Sequence, residues 1–125
     1  MLWRSYKILY NLNRSKPVEF CGSALADLCE FPPLMRQEAG RQLRRVQRGL
    51  DPHDWRPVNP VGRGAREIRI RDANGAFRVI YVANIRDAIY VLHCFQKKSE
   101  KTAFVDLSLA ARRYRDALNN KESKP

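Results

Sequence analysis

The chain has 125 residues, 44% of them hydrophobic and 30% charged, with 24 Lys+Arg against 13 Asp+Glu and a formal net charge of +11. That length supports one domain with one modest core, and the hydrophobic fraction excludes wholesale disorder. Seventeen of the cations are arginine, whose planar fork suits phosphates and carboxylates, so the charge points either to a polyanionic partner or to a solvated cationic surface.

Residues 1–15 mix aromatic, apolar and basic side chains and end in a turn-like Asn11-Leu-Asn-Arg-Ser15. They read as an extension with room for a short strand. Charges interrupt their apolar residues and no small-residue cleavage site follows, so no signal peptide is expected. Pro17–Cys21 reads as a first strand. Ser23 is placed to cap a short helix with Leu25, Leu28 and Cys29 on its apolar face, stopped by Pro32-Pro33. A longer helix follows, with Met35, Ala39, Leu43 and Val46 on one face and Arg36, Arg41, Arg44, Arg45 and Arg48 on the other, closed by Gly49. The arginine face is either a binding surface or a solvated one.

Residues 51–64 hold three prolines and two glycines without periodicity, a length more often functional than connective. Within them, His53 and Trp55 are candidate ligand contacts, and Trp55 equally well covers the core edge. Glu67–Asp72 alternates polar and apolar, Asn74-Gly75 is a strong hairpin turn, and Ala76–Ala83 returns. A turn at 84–87 leads into Ala88–Phe95, giving a three-stranded antiparallel meander. Gln96–Lys101 is a basic loop, and Thr102 caps a last helix through Leu118 with the stripe Leu107, Ala110, Ala111, Tyr114 and Leu118. Residues 119–125 form a polar tail. The expected organisation is an extension at 1–15, one domain at 16–118 and the tail.

A two-residue loop at Asn74-Gly75 pairs Arg71 with Arg78, and closing the second turn with Ala83 opposite Ala88 pairs Arg78 with His93. Alternation then sends Ile68, Ile70, Phe77, Val79, Tyr81, Leu92 and Cys94 to the core side. Glu67, Arg69, Arg71, Arg78, His93, Phe95 and Lys97 go to the other. Like charges directly opposite cost a few tenths to about 1 kcal/mol, and a bound anion reverses that sign, so the row Arg71–Arg78–His93 is a phosphate-site candidate. The competing reading is an exposed face on which Glu67 pairs with a nearby arginine.

Cleaving RNA needs a base for the 2′-OH, cations on the phosphate and an acid for the leaving 5′-oxygen. His93 suits base or acid; Arg71, Arg78 and Lys97 suit charge stabilisation; Arg69, Lys98 and Lys101 suit backbone positioning; Phe95 suits base stacking. Arg45 and Arg48 on the helix suit grip on a larger RNA. No cofactor is expected, and no metal: the chain lacks a carboxylate pair or His/Asp cluster at ligand spacing. Cys21, Cys29 and Cys94 are odd in number, without metal-type pairing and in apolar settings, so core packing in a reducing cytoplasm is expected. No apolar run approaches the roughly 18–20 residues of a membrane span.

Leu28-Cys-Glu-Phe-Pro-Pro33, Arg66-Glu-Ile-Arg-Ile70, Phe77-Arg-Val-Ile-Tyr81 and especially Tyr90-Val-Leu-His-Cys-Phe-Gln-Lys-Lys98 resemble the RelE/ParE superfamily of toxins, most closely its phage-derived, HigB-type branch. The similarity runs from about Lys16 to Leu118. It implies an α+β, RelE-like fold: two N-terminal helices packed on an antiparallel sheet, made of the three-stranded meander plus an N-terminal strand, with a C-terminal helix. It also implies a ribosome-dependent mRNA endonuclease that arrests translation, neutralised by a cognate antitoxin, in this branch usually a helix-turn-helix DNA-binding protein. The superfamily's basic strand positions carry over to Arg69 or Arg71 and Arg78, and its cation after the last strand to Lys97 or Lys98. The C-terminal tyrosine of some members has no match here. ParE-type relatives inhibit DNA gyrase on the same fold, and a toxin-like module that only binds RNA or a partner is the third reading.

Overall fold

The computed structural model describes residues 4–6 and 15–119; most of the 1–15 extension and residues 120–125 of the expected tail lie outside the described residues. The chain is α+β. Strands β1 (Arg4–Tyr6), β2 (Val18–Phe20), β3 (Trp55–Pro57), β4 (Ala65–Asp72), β5 (Gly75–Ile85) and β6 (Ala88–Lys97) form one sheet in the order β1-β2-β6-β5-β4-β3. Helices α1 (Ala24–Cys29) and α2 (Pro33–Gln47) precede β3, and α3 (Phe104–Asn119) follows β6.

The expected all-antiparallel sheet of four strands is corrected to a mixed sheet of six. The strand β2 runs parallel to β6, while β4–β5 and β5–β6 are antiparallel. The extra strands are short edges. The outer strand β3 hides inside a Pro-rich segment because Pro57, which has no N–H to give, is tolerated only at such an edge.

Both hairpins close differently from the expected register. Asp72 faces Gly75, so Arg69, not Arg71, lies opposite Arg78. The Asp72 carboxylate accepts the Asn74 N–H at 2.8 Å, an Asx turn that moves the tip to Ala73-Asn74. The slip is two residues, so every β4 side chain keeps its expected face. The second turn is Arg86-Asp87, with φ of 50° and 68° as a type I′ turn requires. Arg86 donates both guanidinium ends to the Ala117 and Leu118 carbonyls, capping α3. Asp87→Gly removes one left-handed non-glycine residue, and thermal denaturation should show a gain of about 0.5–1 kcal/mol.

A bulge between Ile80/Tyr81 and their partners puts Val91 opposite Tyr81 and His93 opposite Ile80. Leu92 and His93 then both face the α3 side, correcting the expectation that Leu92 joins the Ile68 side. The Leu92 carbonyl accepts Arg113 Nη1 of α3 at 2.9 Å.

Two cores result, one on each face. Ile68, Ile70, Phe77, Val79, Tyr81 and Cys94 pack under α1 and α2 as expected. Ile80, Val82, Tyr90 and Leu92 pack under α3 together with Val58 and Val61. On the second face α3 covers all but the hairpin end with Ala110, Tyr114 and Ala117, whereas Leu118, expected in its apolar stripe, is exposed. Cys21 and Cys94 are buried and burial pushes both thiols up, while Cys29 is exposed, against its expected core position. No helix among the described residues is long and apolar enough to cross a membrane.

Candidate functional site

The α3-side face of β4, β5 and β6 stays uncovered at the hairpin end. Two cross-strand rows sit there: Arg71–Ala76–Lys97, and one step inward Arg69–Arg78–Phe95. A cleft at this end is lined by Arg71, Arg78, Lys97, Lys98, Ser99 and Glu100. Four expected site residues, Arg71, Arg78, Lys97 and Lys98, therefore meet in one place.

Arg78 forms the floor. Only 6% of it is exposed, an unusual position for a cation without tight pairing. Its Nη1 donates to the Phe77 carbonyl at 3.2 Å, and among the described residues its Nε makes no hydrogen bond. Glu67 Oε1 stands 3.8 Å from that Nε, within ion-pair range but beyond hydrogen-bond reach. Burial pushes the Arg78 pKa below its ordinary value; Glu67 opposes this, and Arg69, Arg56 and Arg71 add to it. Arginine remains charged through any such shift at neutral pH, so the site holds a desolvated positive charge short of hydrogen-bond acceptors.

Glu67 pairs with a nearby arginine, as the competing reading had it, but it does so in the interior and not on an exposed face. Its carboxylate is fully buried. Arg56 Nε donates to Oε1 at 2.8 Å and Thr102 Oγ1 donates to Oε2 at 2.9 Å. Arg56 Nη2 also reaches Thr102 Oγ1 at 3.4 Å. Thr102 is thus not the expected helix cap: its hydroxyl goes to Glu67, and Ala103 supplies the carbonyl that starts α3. A buried carboxylate so held ties β3, β4 and the approach to α3 together beneath the cationic rows. The available signal was one acidic residue alternating in step with arginines on a strand that α3 covers.

Lys97 Nζ donates to the carbonyls of Ser99 and Glu100, folding the basic loop back on itself. Desolvation and the nearby Arg78 lower the Lys97 pKa from its ordinary value, with Glu67 opposing.

The remaining expected residues lie elsewhere. His93 is 6% exposed, outside the cleft lining, with Nε2 on Asp106 Oδ1 of α3 at 2.7 Å. Among the described residues its Nδ1 has no hydrogen bond. Phe95 does lie opposite Arg78, but its ring stacks on His93, centroids 4.7 Å apart. Arg69 donates through Nε and Nη2 to Asp54 Oδ1 at 3.1 and 2.9 Å. Lys101 is exposed in the loop. Arg45 and Arg48 belong to the C-terminal end of α2, on the opposite side of the sheet, where Arg45 Nε donates to the Asp51 carbonyl. Trp55 lies under the Arg66 guanidinium, 3.8 Å from ring centroid to Cζ. Among the described residues no group of three or more His, Cys, Asp or Glu is placed to hold a metal ion.

The arrangement is suited to an oxyanion that lies over a hairpin end, meets Arg71 and Lys98 at the rim and Arg78 at the floor, and leaves an ammonium and a carboxylate beside it. No curated protein matches the chain, and neither does a solved structure. A family model does, over residues 26–115, which takes in most of α1, all of α2, the strands of the cleft and most of α3. By that match the chain belongs to the phage-derived protein Gp49-like family (DUF891), a RelE/toxin-like family.

Proposed function

We propose that this chain is the toxin of a toxin–antitoxin pair, of the HigB type, and that it inhibits translation by cutting mRNA on the ribosome. The observation that carries the reading is Arg78: a nine-tenths buried guanidinium, its Nε without a hydrogen bond, at the floor of a cleft rimmed by Arg71, Lys97 and Lys98. A scissile phosphate in the cleft sets negative charge against this desolvated guanidinium and the cations at its rim.

In this reading the 2′-oxygen attacks the adjacent phosphorus, the new P–O bond forms a 2′,3′-cyclic phosphate, and the bond to the 5′-oxygen breaks. The 2′-OH proton goes to Glu100, the one carboxylate among the lining residues. The departing 5′-oxygen takes a proton from Lys97, whose lowered pKa makes it a better acid than an ordinary lysine. Arg71 and Arg78 hold the pentavalent phosphate, and Lys98 steadies the backbone. His93, bonded to Asp106, holds α3 to the sheet. A cognate antitoxin of the helix-turn-helix class belongs with the same reading as the partner that keeps the cleft silent.

Induction in growing cells tests it: translation stops and new mRNA 5′ ends are seen by primer extension. Intact mRNA with a DNA-damage response would instead mark a gyrase inhibitor, and harmless expression a binding module.

The Lys97 assignment has its own test. A cation with a lowered pKa loses its proton at lower pH, so the alkaline limb of the cleavage rate should fall below lysine's ordinary 10.5. Lys97→Arg should retain binding and abolish that limb along with most of the rate, as read from single-turnover cleavage against pH.

A further inference from the structure

A second groove opens on the other side of Arg71, between α2 and the outer edge of β4. Arg71 lines both this groove and the cationic cleft, so one extended ligand can run from one into the other. Its chemistry differs from the cleft's. Two of its three arginines are already paired, Arg69 with Asp54 at 2.9 Å and Arg41 with Glu38 at 3.5 Å, which leaves Arg71 at the junction with the cleft. The carboxylates that neutralise them disfavour a second phosphate. The floor offers apolar surface from Met35 and Ile70, and Leu34 stands at the rim 69% exposed.

The groove also holds a histidine whose tautomer is set by its hydrogen bonds. Gln42 is buried, and its Oε1 accepts the backbone N–H of His53 at 2.8 Å. A backbone nitrogen only donates, so the orientation of this amide is settled and its Nε2 is the donor side. That Nε2 donates to Glu38 Oε2 at 2.7 Å and lies 2.9 Å from His53 Nδ1. Gln42 Nε2 therefore donates to His53 Nδ1, which selects the tautomer with the ring proton on Nε2, on the far side from Gln42. A buried glutamine thus presents one ring N–H donor beside two carboxylate acceptors over an apolar floor.

Donor, acceptor and flat apolar surface together are what the edge and face of a nucleobase require, and a lone phosphate needs none of the three but the donor. We infer that the α2–β4 groove binds one unstacked base of the RNA strand whose phosphate occupies the cationic cleft, with His53 Nε2–H reading its edge and Leu34, Met35 and Ile70 under its face. The inference rests on the reading of the cleft as an RNA phosphate site, and it adds a source of sequence preference.

Binding to ribosomes programmed with mRNA tests it. The A-site codon carries 2′-O-methyl riboses, so that it cannot be cut, and an abasic nucleotide at each codon position in turn. The wild-type chain should lose about tenfold in affinity for one abasic position, the size of one lost base contact. His53→Ala should bind the intact codon about tenfold more weakly and show no abasic penalty. His53→Gln, which keeps a donor, should recover part of that preference. Wild-type binding that ignores all three abasic positions overturns the groove assignment and leaves the cleft reading standing, as does a His53→Ala chain that keeps the penalty. Failure of the wild-type chain to bind programmed ribosomes overturns both.

Discussion

Arg78→Lys should fold, bind ribosomes and fail to cut. Lysine keeps the charge but cannot offer two parallel donors to a phosphate, and it must reach the cleft floor through an ammonium that tolerates desolvation poorly. Removing a preorganised donor aimed at transition-state charge lowers rates by about 10²- to 10³-fold, so single-turnover cleavage should drop by that factor with the melting temperature little changed. Arg78→Ala should cost the same activity and stability besides, because it leaves Glu67 with Arg56 and Thr102 alone against full burial. Full activity in Arg78→Lys would remove Arg78 from the chemistry.

Glu67→Ala should be the most destabilising single change on this face. It strips the acceptor from Arg56 Nε and from the Thr102 hydroxyl and takes the nearest negative charge from buried Arg78. Breaking a buried pair by deleting one partner costs about 3–5 kcal/mol, which chemical denaturation should register as a large fall in midpoint at unchanged slope. Glu67→Gln keeps one acceptor, for Arg56 Nε, and turns the Thr102 hydroxyl from donor to acceptor, so it should cost less stability than Glu67→Ala. Its effect on cutting separates two roles. If the carboxylate only braces the fold, Glu67→Gln cuts normally. If it sets the Arg78 side chain, affinity for programmed ribosomes holds while the cleavage rate falls.

The faces of the central strands were legible because period-two alternation survives a two-residue slip: Ile68, Ile70, Phe77 and Val79 are core whichever of the two registers holds. The register itself was not, because the Asp72 side chain competes with Asn74-Gly75 for the turn, and that contest is decided by one hydrogen bond. His93 shows a second limit. The bulge at Leu92 is invisible to alternation, and it changes which residue His93 faces and what α3 can reach. The cations at 71, 78 and 97 share one sheet face as alternation implied, and Lys98 joins them from the loop, although the row Arg71–Arg78–His93 does not form. What pattern could not supply was the second cover, α3, or the buried carboxylate beneath it. Glu67 meets Arg56 from a strand hidden in a Pro-rich segment and Thr102 from a distance of 35 residues along the chain.

The central claim is that the cleft over Arg78 cuts RNA through the substrate's own 2′-OH. Its most direct test is a reconstituted reaction of purified chain, ribosomes and one defined mRNA, with the chemistry of the cut ends determined. The account predicts a downstream fragment with a 5′-hydroxyl, which is joined by ligase only after phosphorylation, an upstream fragment ending in a cyclic phosphate, and neither with Arg78→Lys. Intact mRNA, or a downstream fragment bearing a 5′-phosphate, would contradict it.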